Sequence, residues 1–246
     1  MTRYEQQSCW VLHRRPWRES SLIIEVFSHE HGRLGVVAKG ARGGRSPWRG
    51  LSEPFGPLLA SWTRRGELGT LTGLESAGRR MTLIGRALWC GLYANELLLA
   101  LIGRDEAVPE IFDAYGRLLG DLAGGLDQAH ALRRFELKLL EGLGVVPDLA
   151  QEAVTADPIV PEGLYHLLPE TGLIATASPG REVFSGRAAL ALLEDAAPPA
   201  EVAREARALM RLLLDFRLDG RKLKTRELFR QTRSQGSPPN NNGDAK

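Results

Sequence analysis

The hydrophobic period of this chain changes once, near residue 80, and that change constrains the fold more than any single motif. Before it, apolar residues alternate as in a half-buried strand: Leu34, Val36 and Ala38 take one face, Gly35, Val37 and Lys39 the other. After it, Leu83, Ala87, Leu88, Leu92, Asn95, Glu96, Leu99 and Ile102 recur at helical spacing, and Ile111, Phe112, Tyr115, Leu118, Leu119 and Leu122 repeat the pattern. The first part reads as five short strands over 9–13, 22–27, 33–39, 57–62 and 69–75. Turn chemistry at Arg15-Pro16-Trp17, His29-Glu30-His31-Gly32 and Arg64-Arg65-Gly66 separates them. Five strands with one long loop after the third point to a small closed barrel of the OB type, with an SH3-like barrel as the competing topology.

Helices are expected from Leu83 onward, over 109–122, and over 129–143 with Leu132, Phe135, Leu139 and Leu143 as one stripe and Gly144 as the stop. Residues 145–184 are rich in proline and glycine and hold a small hairpin, 164–168 with 173–177, around Pro169-Glu170-Thr171-Gly172. Helical patterning resumes over 186–194 and 201–216. The expected class is therefore α+β: an OB-fold barrel over 1–80, then a mainly α-helical domain over 81–233 with an irregular hairpin insertion. A low-complexity, disordered tail follows over 234–246. Asn95 and Glu96 interrupt an apolar stripe, which suits a structural role, Glu96 at a rim or paired with an arginine.

The long loop carries most of the functional information. From Gly32 to Gly50 a strand gives way to a glycine-rich segment in which Lys39, Arg42, Arg45 and Arg49 fall close together, with no carboxylate between Glu30 and Glu53. Unpaired guanidinium groups beside an aromatic, Trp48, expected to be exposed, suit a sugar-phosphate backbone with a base to stack on. The plain alternative is a solvated loop. Gly35-Val36-Val37-Ala38-Lys39-Gly40 imitates the front of a phosphate loop, but Ala41 and Arg42 stand where Lys and Ser or Thr are needed.

Charge is unevenly distributed behind a formal net charge of +2. Residues 1–80 hold 13 Lys+Arg against 7 Asp+Glu, residues 81–216 hold 11 against 20, and residues 217–246 hold 8 against 3. Anion binding is thus expected at the ends of the chain. There is no long apolar run and no signal-like segment at the N-terminus, so a cytoplasmic protein is expected. Two cysteines, Cys9 and Cys90, are too few for a zinc site or a disulfide framework and read as buried thiols. His29 and His31 flank Glu30 on a turn and form at best an incomplete metal site. No nucleophile elbow, zinc-protease motif or complete phosphate loop occurs, which favours a binding protein without cofactors over an enzyme.

Several blocks carry a resemblance. They are Val11 to Leu22, Val26-Phe27-Ser28, Gly32-Arg33, Val37-Ala38-Lys39-Gly40-Ala41-Arg42, Pro54-Phe55, Leu92-Tyr93-Ala94-Asn95-Glu96-Leu97-Leu98, Leu132 to Leu137 with Leu143-Gly144, and Leu223 to Gln231. In this order they resemble the RecO family of DNA repair proteins over nearly the whole chain. The resemblance implies a recombination mediator with an OB fold and a helical domain. Such a protein binds single- and double-stranded DNA, anneals complementary strands, and with RecR helps load RecA onto DNA coated by the single-stranded DNA-binding protein. It implies backbone contacts from Lys39, Arg42, Arg45 and Arg49 beside Trp48, extended by Arg14, Arg15, Arg18 and Arg33. It also implies docking of the acidic, phenylalanine-ended tail of the single-stranded DNA-binding protein, for which Arg133, Arg134, Leu137 and Lys138 are the candidates. Pairing of either arginine with Glu96 or Glu136 is the structural alternative. Many members carry four cysteines after the third helix; here 145–184 contain none, so zinc is not expected. An RNA-binding or translation-associated barrel protein remains the competing function.

Overall fold

The computed structural model describes residues 1–44 and 46–228; Arg45 and the tail expected over 234–246 lie outside the described residues. Five strands, β1 (Thr2–Trp17), β2 (Ser21–Ser28), β3 (Gly32–Ala38), β4 (Leu58–Arg64) and β5 (Leu68–Ser76), close a barrel in the order β1-β2-β3-β5-β4. Every pairing is antiparallel except the closing one, where β3 runs parallel to β5 with Gly35 opposite Leu68. This is the OB-fold order, so the SH3-like alternative falls away. Strand β1 is far longer than expected because it serves two neighbours. Its first half pairs with β4, from Thr2 opposite Arg64 to Cys9 opposite Leu58, and its second half pairs with β2. The polar run Thr2 to Ser8 has no hydrophobic alternation to betray the first half.

Alternation along β1 then builds two cores at once. Cys9 and Val11 face into the barrel with Leu22, Ile24, Val26, Leu34, Val36, Leu58 and Trp62. Trp10 and Leu12 face outward, with Phe27 and Phe55, and are buried in the helical core. Three helices supply the other side: α1 (Gly85–Leu101), α2 (Pro109–Ala123) and α3 (Gln128–Gly142). Between Val11 and His13 the β1–β2 register slips by one residue, leaving Leu12 as a bulge without a ladder partner. Asn95 of α1 answers it: its Nδ2 donates to the Leu12 carbonyl at 2.9 Å while its Oδ1 accepts from the Tyr115 hydroxyl of α2. The buried asparagine in the apolar stripe is thus the joint between barrel and helices.

The insertion is a three-stranded sheet, β6 (Leu164–Leu168), β7 (Gly172–Thr176) and β8 (Val183–Ser185), in the order β7-β6-β8. The third strand, absent from the sequence expectation, is only three residues long and shows no readable period. Two glutamates organise this region. Glu152 accepts from the backbone N–H groups of Val154 (2.8 Å), Thr155 (2.5 Å) and Ala175 (3.2 Å). Glu205 accepts from Ser185 N and Oγ, both at 2.6 Å, and so ties β8 and the start of α4 (Gly186–Leu193) to α5 (Ala200–Leu218). Backbone donors hold the Glu152 carboxyl below its ordinary value, those of Thr155 first.

Glu96 also departs from expectation. Among the described residues it pairs with no arginine; its carboxylate accepts from Lys224 N (2.7 Å), Thr225 N (3.0 Å) and Thr225 Oγ1 (2.6 Å), and so fastens the last described turn to α1.

Two outcomes follow. Asn95→Ala leaves the Leu12 carbonyl and the Tyr115 hydroxyl buried without partners, at about 1–3 kcal/mol each, and should lower Tm by several degrees in a thermal melt. Glu152→Gln removes a carboxylate whose folded-state value is depressed. Wild type should therefore outlast it in denaturant above the ordinary carboxylate range, and the difference should vanish as pH falls through the lowered value. A gap between the two proteins that persists in strong acid would contradict this.

Candidate nucleic-acid interface

The loop between β3 and β4 is a series of tight turns rather than an open coil. Gly43 N donates to Gly40 O (3.1 Å), Arg49 N to Ser46 O (3.2 Å) and Ser52 N to Trp48 O (3.1 Å), and Gly40 sits at φ +67°, which a side chain would resist. The loop is docked on the β1–β2 turn, where Arg42 N donates to Ser20 O (2.9 Å) and Arg42 Nη1 to Glu19 O (3.0 Å) and Arg18 O (3.3 Å). These contacts bring Arg15, Arg18, Lys39, Arg42 and Arg49 to one end of the barrel, all exposed and, among the described residues, none in an ion pair. Arg15 lies over the Trp17 ring, with its guanidinium carbon 5.7 Å from the centroid. Arg49 Nη1 donates to Gly44 O at 3.3 Å.

Three members of the expected set behave differently. Arg14 is paired with Glu53 and reaches Ser52 Oγ at 3.5 Å, so its charge is partly answered at the base of the loop. Arg33 points to the junction: its Nε donates to Ile102 O at 3.0 Å and its Nη1 lies 3.5 Å from Glu25, whose other oxygen takes Arg104 at 2.7 Å. Trp48 is a correction. It is half-buried, packs on the barrel core with Ala41 and Leu51, and donates its indole N–H to Lys39 O at 3.2 Å. An aromatic in a polar loop looked exposed, but here it plugs the barrel end and sets the loop's path. His29 and His31 are also less exposed than a turn suggests, standing edge-on to Phe112 (5.2 Å) and Trp62 (5.7 Å).

Helix α3 divides two grooves in the helical body. Arg134, Leu137 and Lys138 line the smaller, of about 340 Å³, with Arg117 and four carboxylates, those of Asp121, Glu141, Glu194 and Asp195. There Arg134 pairs with Asp195 at 3.2 Å and Lys138 with Glu141 at 2.7 Å. Arg133 turns the other way, into a groove of about 580 Å³ between α1, α3 and α5. That larger groove has an apolar floor of Trp89, Leu132, Ala206 and Leu214 and a rim of Arg86, Arg207, Arg211 and Arg226, against two carboxylates, Asp127 and Glu136. Glu136 is fully buried: the Tyr93 hydroxyl donates to it at 2.8 Å and Arg133 lies 2.6 Å away. Burial pushes its carboxyl above the ordinary value, and Arg133 and Tyr93 pull it partly back. The sequence reading passed over Arg86 and Arg207. The legible signal was the carboxylate-free run from Ser76 to Asn95, which ends on the helix that carries Arg86.

Among the described residues no group of three or more histidines, cysteines and carboxylates is placed to hold a metal ion, and no helix is long and apolar enough to cross a membrane. Both thiols are buried and less acidic than a free cysteine, that of Cys9 pushed up to about 12.

Residues 1–79 match the family described as Recombination protein O N terminal, and residues 85–227 match Recombination protein O C terminal. Among curated relatives, DNA repair protein RecO of Methylococcus capsulatus is 43% identical over 223 residues, spanning 91% of this chain and 92% of its own. The proteins of the same name from Alkalilimnicola ehrlichii (46% over 229 residues, 92% and 90%) and Halorhodospira halophila (45% over 232 residues, 92% and 97%) are similarly close. Barrel and helical body match in order and at nearly full length, and the chain belongs to the RecO family of DNA repair proteins.

Proposed function

We propose that this protein is a stoichiometric recombination mediator of the cytoplasm. It binds single- and double-stranded DNA by the backbone, anneals complementary strands, and with RecR helps load RecA onto DNA covered by the single-stranded DNA-binding protein. The observation that carries the reading is the cluster of exposed cations at one end of the barrel: Lys39, Arg42 and Arg49 on a loop that folds itself through backbone turns, beside Arg15 and Arg18 at the β1–β2 turn on which it docks, none of them in an ion pair among the described residues. Annealing needs phosphate repulsion screened while base edges stay open, which backbone-directed cations provide. Arg45 belongs to the same run of sequence. Arg33 is left out of the phosphate contacts because the junction engages it, and Trp48 contributes by shaping the loop.

The acidic tail of the single-stranded DNA-binding protein is assigned to the larger groove, with Arg133 as a donor. Arg134, Leu137 and Lys138 are set aside. An anionic peptide ending in an aromatic needs an apolar slot with a cationic rim, and the smaller groove carries more carboxylates than cations.

Two measurements test these assignments. Replacing Lys39 and Arg42 with Ala should weaken binding to every DNA sequence alike and flatten the dependence of log K on log salt by about 0.7–0.9 per lost contact. A folded variant with an unchanged slope removes the loop from the site, and a preference of wild type for structured RNA would favour the translation-associated reading. For the tail, a labelled acidic peptide ending in Phe should bind Arg134→Ala/Lys138→Ala as it binds wild type. It should bind Arg133→Ala/Glu136→Gln, which removes the cation without stranding a buried carboxylate, about tenfold more weakly than it binds Glu136→Gln alone, as loss of a charge-assisted hydrogen bond implies. The reverse pattern, in folded proteins, would place the tail in the smaller groove.

A further inference from the structure

The segment joining barrel to helices, 77–84, is held against the base of the cationic loop. Ala77 N donates to Pro57 O at 2.9 Å and Met81 N to Phe55 O at 3.0 Å, so the segment runs beside the strand that leaves the loop. Arg80 Nη1 reaches Gly50 O at 3.4 Å, and its Cγ lies 3.6 Å from where a Cβ on Gly56 would be, so its stem lies along the loop's exit. Arg79, Arg80 and Arg86 are exposed, and among the described residues none is in an ion pair. The nearest preceding carboxylate, Glu75, accepts from Gln6 Nε2 at 3.1 Å, and the next in sequence, Glu96, is engaged by Lys224 and Thr225.

The start of α1 adds an independent observation. A helix N-terminus is ordinarily complemented by a capping side chain and an acidic first turn. Here Ile84 gives no cap hydrogen bond, the first turn has no acidic residue, and Arg86 stands in it. The positive end of the helix and a guanidinium therefore reinforce each other instead of cancelling. The same Arg86 lines the larger groove.

We propose that Arg79, Arg80 and Arg86 carry a single-stranded nucleic-acid backbone from the β3–β4 loop across the linker to the lip of the larger groove. There the strand and an acidic peptide in the groove compete for Arg86. The proposal rests on the reading of the loop as a DNA site and extends it. It gives the cation-rich end of the barrel and the peptide groove a shared boundary, so that a strand advancing along the track and a tail seated in the groove displace each other.

The test uses the full chain and oligo-dT of two lengths in a salt series, one of about 8 nucleotides, which a barrel alone holds, and one of about 30, longer than the usual single-barrel site. Arg79→Ala/Arg80→Ala/Arg86→Ala should melt as wild type does. It should bind the short oligonucleotide with an unchanged salt slope and bind the long one with a slope reduced by about two units, three contacts at about 0.7 each. An unchanged slope for the long oligonucleotide overturns the track. Lys39→Ala/Arg42→Ala, measured in parallel, should lose slope at both lengths; if it loses none while the linker variant does, the loop reading fails and the track stands apart from it. An acidic, phenylalanine-ended peptide should weaken binding of the long oligonucleotide to wild type and not to Arg86→Ala. Equal competition in both overturns the sharing of Arg86.

Discussion

The architecture depends on the Cys9–Leu12 segment of β1 and on β2 being buried on both faces. A small barrel ordinarily has one dry face and one wet one, and its loops then move with it relative to any neighbouring domain. Here Trp10, Leu12 and Phe27 carry the outer face into the core made by α1, α2 and α3, with Trp10 edge-on to Tyr115 at 5.6 Å. The bulge at Leu12 brings a backbone carbonyl into that interface, and Asn95 makes the interface specific by being the group that satisfies it. An apolar residue at 95 would fill the space and leave the carbonyl unanswered.

Charges reinforce the joint at its edge without creating it. Glu25 gathers Arg33 and Arg104, Arg64 grips Asp105, and Asp105 N donates to Arg33 O at 3.0 Å. Gly32 is required there, since a Cβ would come within 1.9 Å of the Glu106 carbonyl oxygen. Partly exposed pairs contribute little individually and weaken with salt, whereas the shared apolar core does not. The loop therefore keeps its position relative to the helical grooves as ionic strength rises.

Much of this was legible in the sequence, and the gaps have physical causes. Elements with a clear period were readable: four of the barrel strands nearly to their ends, the helices, and the first hairpin of the insertion. The first half of β1 was not, because a polar strand held by two neighbours has no hydrophobic face to display. Side-chain fate was harder. Arg33 and Arg42 look alike in sequence, yet Arg33 sits on a strand face that meets α1's C-terminal connection while Arg42 sits on a turn. Trp48 was misread as exposed because burial by a barrel end leaves no periodic mark. Arg133 and Arg134 are adjacent, so helical geometry turns them about 100° apart on α3, and here that puts Arg133 in the larger groove and Arg134 in the smaller.

The division of labour among the cations explains why a net charge of +2 says little about this protein. In the helical body several arginines are committed to holding it together. Arg133 answers Glu136, Arg226 answers Asp215 and touches Tyr93, Arg217 Nη2 donates to Val145 O at 3.0 Å, and Arg221 Nη1 donates to Ala100 O at 2.7 Å. A buried carboxylate such as Glu136 is tolerable only with such partners, and in return it fixes the direction of Arg133 at the floor of the larger groove. The barrel end works the other way. Its arginines meet at most backbone carbonyls, as Arg42 does at Glu19 and Arg18 and Arg49 at Gly44, so their charge stays unneutralised by any carboxylate among the described residues, with long-range fields that a polyanion feels and a count of formal charges does not show. The same residue type is thus structural where a carboxylate or an unpaired carbonyl of another element meets it and available for binding where the sequence has kept carboxylates out.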